Sequence, residues 1–291
     1  MKPAAFHYER PATVGAALDL LAKASSAGEG DTRILAGGQS LVPMMNFRLA
    51  KPQCLIDINR IVGLDYIRRD GNEIVIGALA RHADVKDSEL VASSCPLIHG
   101  AYEWVAHGAV RNRGTLCGNL CHSDPASEMP AVMLALEATM VARSSAGERK
   151  IAARDFFRGL YENALKPNEM LVEVRVPVTG ADQRHGFAEV SMRKGDFAWA
   201  AIACLVTIKT GKIERAAIAA AGIGSHAVRL KAAEDVISGQ APSAAAFEKA
   251  AQAAYDSVNP SGDAANSAQY RRDLVRVLVG RTLTSACDKC M

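Results

Sequence analysis

The chain has 291 residues, 49% hydrophobic and 22% charged, enough apolar material for a substantial core and for more than one domain. Its 34 basic and 31 acidic side chains leave a formal charge of +3, a balance that argues against a dedicated nucleic-acid binder. No window holds the roughly 18 to 20 unbroken apolar residues of a membrane span, and "MKPAAFHYERPATVG" lacks a signal peptide's apolar run, so the expectation is a cytoplasmic chain without a membrane span.

In chain order, "PATVGAALDLLAKAS" repeats small and apolar residues at helical spacing behind Thr13 as N-cap; a polar turn "SAGEGD" then leads into the strand and glycine loop of "TRILAGG". The runs "QCLIDIN", "GLDYIRR" and "NEIVIGALA" read as short strands divided by Pro52, Gly63 and the turn "RDGN". "DVKDSELVASSCPLIHGAYEWVA" reads as helical, with Pro96 marking a break or a helix start. "SEMPAVMLALEA" predicts a buried helix, "TMVARSSAGERKIAARDFF" a hairpin running into a short helix, and "LVEVRVP" an alternating strand. Residues 178–186 are polar and contain glycine, which marks a domain boundary; beyond them come three strands of a meander, then alanine-rich helices.

The stretch "RNRGTLCGNLCHSDP" admits two chemistries. Cys117, Cys121 and His122 could join the distant Cys287 and Cys290 around a metal, but zinc modules pair close-spaced couples within a small domain, and the second couple here sits at the far terminus. The seven cysteines are odd in number and scattered, which fits reduced, packed thiols and no metal. The other chemistry is phosphate binding. "AGGQSL" follows a strand and, like the segment around Thr115 and Gly118, offers glycine amides and a hydroxyl that can turn toward one anion. Two such loops could clasp a pyrophosphate from two sides. "GIGSHA" at residues 222–227 matches a dinucleotide fingerprint, yet no later strand ends in the acidic residue that would hold a ribose. The usual hydrolase and NTPase motifs are absent, and the histidines show no metal spacing.

Taken together, "ILAGGQSLVPMMNFRLAKPQCLIDINRI", "EIVIGALARH" and "RNRGTLCGNLCHSDPASEMPAVMLALEA" resemble the FAD-binding medium subunits of molybdenum hydroxylases, the family of the carbon monoxide dehydrogenase medium chain and the xanthine dehydrogenase FAD domain. The resemblance covers nearly the whole chain. It implies an α+β, vanillyl-alcohol-oxidase-type (PCMH-type) FAD fold over residues 1–177, in two subdomains split near 60. A flavoprotein C-terminal domain over 178–285, with a three-stranded sheet and helices, and a tail at 286–291 would complete the chain. By the same resemblance, Leu35, Ala36, Gly37, Gly38, Gln39, Ser40 and Leu41 form the pyrophosphate loop, and Thr115, Cys117, Gly118 and Asn119 belong to the second loop. Asp124 and Glu128 would be acidic contacts to the cofactor, and Leu171 and Phe187 would pack near the flavin. Cys117 stands where the family usually has glycine; if that position needed positive φ, the side chain would strain the loop by about 1 to 2 kcal/mol and crowd the phosphate.

The implied function is electron transfer. No residue of this chain would be catalytic; its FAD would take electrons from two [2Fe–2S] clusters of a small subunit, after a large molybdopterin subunit has hydroxylated an N-heteroaromatic substrate such as an alkaloid. An external acceptor would then receive them from this heterotrimer. A stand-alone FAD oxidase or dehydrogenase, and a non-catalytic nucleotide-binding assembly subunit, are the alternatives.

Overall fold

The computed structural model describes residues 1–27 and 31–288. Residues 28–30 of the turn expected before the first glycine loop, and Cys290 of the terminal cysteine pair, lie outside the described residues.

The first layer is β1 (His7–Glu9), α1 (Val14–Ala27), β2 (Thr32–Leu35), α2 (Leu41–Asn46) and β3 (Cys54–Asp57). Its strands form a parallel sheet in the order β1-β3-β2, with Leu35 paired to Asp57 at the end where β2 opens into the glycine loop. The Thr13 hydroxyl accepts from the Ala16 amide at 3.2 Å, capping α1, and the helix buries Ala17, Leu18 and Leu21. Pro43 falls in the first turn of α2, where a missing N–H costs no helical hydrogen bond.

Next come β4 (Ile67–Asp70), β5 (Glu73–Gly77), α3 (His82–Asp87), α4 (Glu89–Ser94), α5 (Pro96–Ala101), α6 (Gly108–Arg111), α7 (Leu116–His122) and α8 (Glu128–Ala135). They are followed by β6 (Thr139–Ser144), β7 (Gly147–Ala152), α9 (Ala153–Phe156), β8 (Phe157–Gly159), β9 (Glu162–Asn163) and β10 (Met170–Pro177). Five strands pair antiparallel in the order β4-β5-β10-β6-β7, while β8 and β9 form a separate small hairpin. Pro96 starts α5, so the proline is a helix start and not a break within one helix. All eight residues of α8 are buried, as the absence of any polar face in "EMPAVMLA" requires of a helix set in the interior.

The last unit holds β11 (Gln183–Ser191), β12 (Ala198–Lys209), β13 (Lys212–Ala221), β14 (Val228–Arg229), α10 (Lys231–Ile237), α11 (Ala244–Ser257) and α12 (Ala268–Cys287). Three long strands carry its antiparallel sheet, and the two-residue β14 adds a fourth at one edge. Part of the connection expected at 178–186 is already strand, since Gln183 through Gly186 pair with Thr207 through Cys204. Polar residues fit there because β11 is the other edge of the sheet. The "GIGSHA" segment is the turn between β13 and β14. There the Gly222 amide donates to the Pro125 carbonyl at 2.7 Å, so it packs against the α7–α8 connection and does not open a nucleotide-binding helix. Among the described residues no helix is long and apolar enough to cross a membrane.

Candidate functional site

A cavity of about 970 Å³ is lined by both predicted loops, by the stretch entering β10 and by the turn between β11 and β12. That size lies at the upper end of the range for small-molecule and cofactor sites. Leu35, Ala36, Gly37, Gly38, Gln39, Ser40 and Leu41 all contribute to its wall, as do Thr115, Cys117, Gly118, Asn119, Glu128 and Leu171.

The two loops touch, and Gly37 is the reason they can. A β-carbon there would stand 2.3 Å from the Arg113 carbonyl oxygen and 2.6 Å from the Gly114 Cα. Gly38 follows with φ of +70°, a left-handed conformation that glycine adopts without strain. The chain then turns into α2, with the Val42 amide donating to the Gly38 carbonyl and Met44 to that of Ser40. Among the described residues, no protein group accepts from the amides of Gly38, Gln39 or Ser40, which leaves three donors for an anionic ligand. On the second loop, Thr115 caps α7 by accepting from the Gly118 amide at 3.0 Å, and a β-carbon at 118 would stand 2.6 Å from that hydroxyl. The Asn119 amide group is bonded to the Ser127 hydroxyl at 2.8 Å, so it also ties α7 to the start of α8.

A polar chain that sequence reasoning missed holds the first loop in place. Tyr8 donates to Asp57 at the end of β3; Asp57 accepts from the backbone and side chain of Asn59, at 2.9 and 2.6 Å. Burial alone would raise the Asp57 carboxyl, but the hydrogen bonds from Tyr8 and Asn59 outweigh it and hold it below the usual carboxylate range. Asn59 also donates to the Ala36 carbonyl at 2.8 Å and accepts from Arg81 at 2.7 Å, and Arg81 reaches the Arg113 carbonyl at 2.5 Å. The chain therefore joins the two loops from behind. The one local signal for it is "LIDINR", where a short polar side chain two residues beyond a strand's last carboxylate suits an Asx turn.

Cys117 does not strain the second loop. It lies in the first turn of α7, outside the positive-φ residues, and its thiol points into the core toward the Ile76 and Gly77 carbonyls at 3.8 Å. The expected strain is absent because the residue is helical and its side chain faces β5. Burial pushes its thiol far up, and that of Cys121 up to about 12, so both are neutral packed groups. Cys117→Gly is accordingly expected to cost about 2 kcal/mol of stability through a core void and a helical glycine, while flavin occupancy stays that of the parent; urea unfolding and the flavin-to-protein absorbance ratio check the two halves.

Asp124 and Phe187 are not brought to the cavity wall. Asp124 is buried, accepting from the Ala126 amide at 2.9 Å, and Phe187 packs from β11 against the first core. Glu128 is in the wall and buried, and burial raises its carboxyl to about 7. His82 also lines the cavity; burial, then the nearby Arg111, lowers it to about 4, and its Nδ1 lies 3.0 Å from the Tyr102 hydroxyl. The wall also includes Gly195, Asp196 and an exposed Phe197, with Lys194 bonded to Glu103 at 3.2 Å and lying over Trp104. An aromatic left in solvent beside a glycine turn is the signal in "RKGDFA" that a sequence reading can find.

A family model described as the FAD binding domain in molybdopterin dehydrogenase matches residues 4–179, and one described as the CO dehydrogenase flavoprotein C-terminal domain matches 185–286. The chain is 42% identical to the 6-hydroxypseudooxynicotine dehydrogenase complex subunit alpha of Paenarthrobacter nicotinovorans, with 99% of this chain and 97% of that one covered. Caffeine dehydrogenase subunit beta of Pseudomonas sp. (strain CBB1) is 38% identical over the same shares. The carbon monoxide dehydrogenase of Hydrogenophaga pseudoflava that lacks the Mo-pyranopterin moiety superimposes with a TM-score of 0.95 at 37% identity, over 100% of both chains.

Proposed function

This chain belongs to the family of FAD-binding subunits of molybdopterin dehydrogenases, and we propose that it is the electron-transfer subunit of a cytoplasmic molybdenum hydroxylase acting on an N-heteroaromatic substrate. The observation that carries the reading is the pair of touching glycine loops, which presents unengaged amides to a cavity large enough for a dinucleotide. FAD held by these loops would supply the redox chemistry, a flavin able to exchange electrons between the [2Fe–2S] clusters of a small partner subunit and an external acceptor. The relatives named for caffeine and for 6-hydroxypseudooxynicotine support the substrate class, which acts at a large molybdopterin subunit.

The work of this chain is binding and positioning. The amides of Gly38, Gln39 and Ser40 hold the pyrophosphate, and the Asn59 and Arg81 side chains keep the loops at their spacing. Thr115, Gly118 and Asn119 close the second side, Glu128 accepts from a cofactor hydroxyl, and Leu171 with Phe197 excludes water at the flavin end.

The purified chain is expected to be yellow and to release one FAD per molecule on heating, identified by mass. With its molybdenum and iron–sulfur partners its flavin should bleach on adding an N-heteroaromatic substrate. A chain that takes up no FAD on reconstitution defeats the reading, and turnover by the lone chain would favour a stand-alone oxidase.

A further inference from the structure

His82 stands beside the point where the two loops touch. Its backbone amide donates to the Gly114 carbonyl at 2.9 Å, and its ring lies against the same glycine: a β-carbon on Gly114 would stand 2.9 Å from the ring's Cδ2 and 3.5 Å from Nε2. Gly114 is also the residue whose Cα Gly37 of the first loop approaches. One glycine thus links the imidazole to the loop whose next three amides are unengaged. The histidine is only 4% exposed, yet it is part of the cavity wall. Among the described residues Nε2 has no hydrogen-bond partner and is not one of the atoms sealed from solvent, so the part of the ring left open to the cavity includes Nε2.

The other ring nitrogen decides where the proton sits. Nδ1 lies 3.0 Å from the hydroxyl of Tyr102, which is fully buried at the end of α5 and has no other hydrogen-bond partner for that hydroxyl among the described residues. Were Nδ1 the donor, the tyrosine's own proton would be left in the interior without an acceptor, which is costly. Tyr102 therefore donates to Nδ1, and the single proton of the neutral imidazole is on Nε2. Burial, then Arg111, lowers the basicity of the ring and keeps it neutral. The imidazole is held at Nδ1, packed edge-on against the Tyr102 ring and backed by Gly114, so its direction is set before any ligand arrives.

We propose that His82 is a cofactor-binding residue: its Nε2–H, fixed in that tautomer by Tyr102, donates to an oxygen of the diphosphate held between the two loops. This rests on the reading that the cavity takes FAD. It gives the clasp a side-chain donor that works with the amides of Gly38, Gln39 and Ser40 and brings no charge of its own.

The test titrates the full chain, stripped of flavin, with FAD and separately with riboflavin, which has no phosphate, following the quenching of flavin fluorescence. A single pH keeps Glu128 in one state throughout. His82→Leu is expected to raise the dissociation constant for FAD about tenfold or more, the worth of a hydrogen bond to a charged group, and that for riboflavin less than about twofold. His82→Gln, whose amide nitrogen can take the place of Nε2, should stay within about threefold of the parent for FAD. NMR of the chain with its histidine nitrogens isotopically labelled, where the His82 signals are those missing from His82→Gln, should show the proton on Nε2 and the Nε2 resonance moving when FAD is added. That experiment decides by itself if the leucine variant folds poorly or riboflavin binds too weakly to titrate. A folded His82→Leu with the parent's affinity for FAD, an equal loss for riboflavin, or a ring whose proton is on Nδ1 overturns the proposal. A parent that binds no FAD defeats the functional reading itself, and this inference with it.

Discussion

Gly37→Val is expected to yield a folded chain with no bound FAD. The two isopropyl methyls and their β-carbon would have to occupy space already filled by the Arg113 carbonyl and the Gly114 backbone, at 2.3 and 2.6 Å from the β-carbon. Backbone atoms give way only if the loops separate, and separated loops no longer aim their amides at one pyrophosphate. Gly38→Val should be milder but still severe. Its β-carbon meets only side-chain atoms of Leu35 and Val42, at 3.1 Å, so the cost is mainly that of a β-branched residue at a φ of +70°, about 2 kcal/mol or more. The flavin-to-protein absorbance ratio, with far-UV circular dichroism to verify folding, separates the two. Full occupancy in the folded Gly37→Val protein would show that contact between the loops is unnecessary.

Arg229→Ala is expected to lower stability by about 3 kcal/mol or more, the usual result of removing one partner from a buried ion pair. Glu234 is 3% exposed and accepts from Arg229, from Lys231 at 2.8 Å and from the Ile218 amide at 2.9 Å. Burial by itself would raise this carboxyl; hydrogen bonds, first from Arg229, bring it below its ordinary value. Arg229 also reaches out of its own unit to the Leu134 carbonyl at 3.3 Å and to Glu137 at 3.2 Å, so its loss should loosen the C-terminal sheet from the end of α8 as well. The urea midpoint measures the effect, and a shift worth less than about 1 kcal/mol would mean that Lys231 suffices.

The parts of this molecule that depend on near neighbours were legible in the sequence. The cap at Thr13, the alternation of "LVEVRVP" and the apolar surround of "EMPAVMLA" each announce a local structure, and the glycine pair after a strand announces a turn. What local pattern does not carry is which distant residues meet. Cys117 looked like an intruder in a glycine loop because its helical conformation and the approach of β5 are tertiary facts. Asn59 and Arg81 look like ordinary polar residues until β3, the first loop and α3 are brought together. Asp124 reads as a ligand by its position; one of its oxygens accepts from the Ala126 amide and the other lies 3.9 Å from Nε2 of His122, a residue of the cavity wall.

The order of the five-stranded sheet has a consequence for how the chain is made. β10 occupies the middle, between β5 and β6, although it is the last of the five to leave the ribosome. Until it arrives, β5 and β6 each have an unpaired inner edge, and the hairpins β4–β5 and β6–β7 are separate pieces with nothing to join them. Closing the sheet therefore waits on a contact of long sequence separation, the kind that sets slow folding rates. A nascent chain shorter than about 177 residues exposes two sticky strand edges, and this is the interval in which it most needs protection from its own copies.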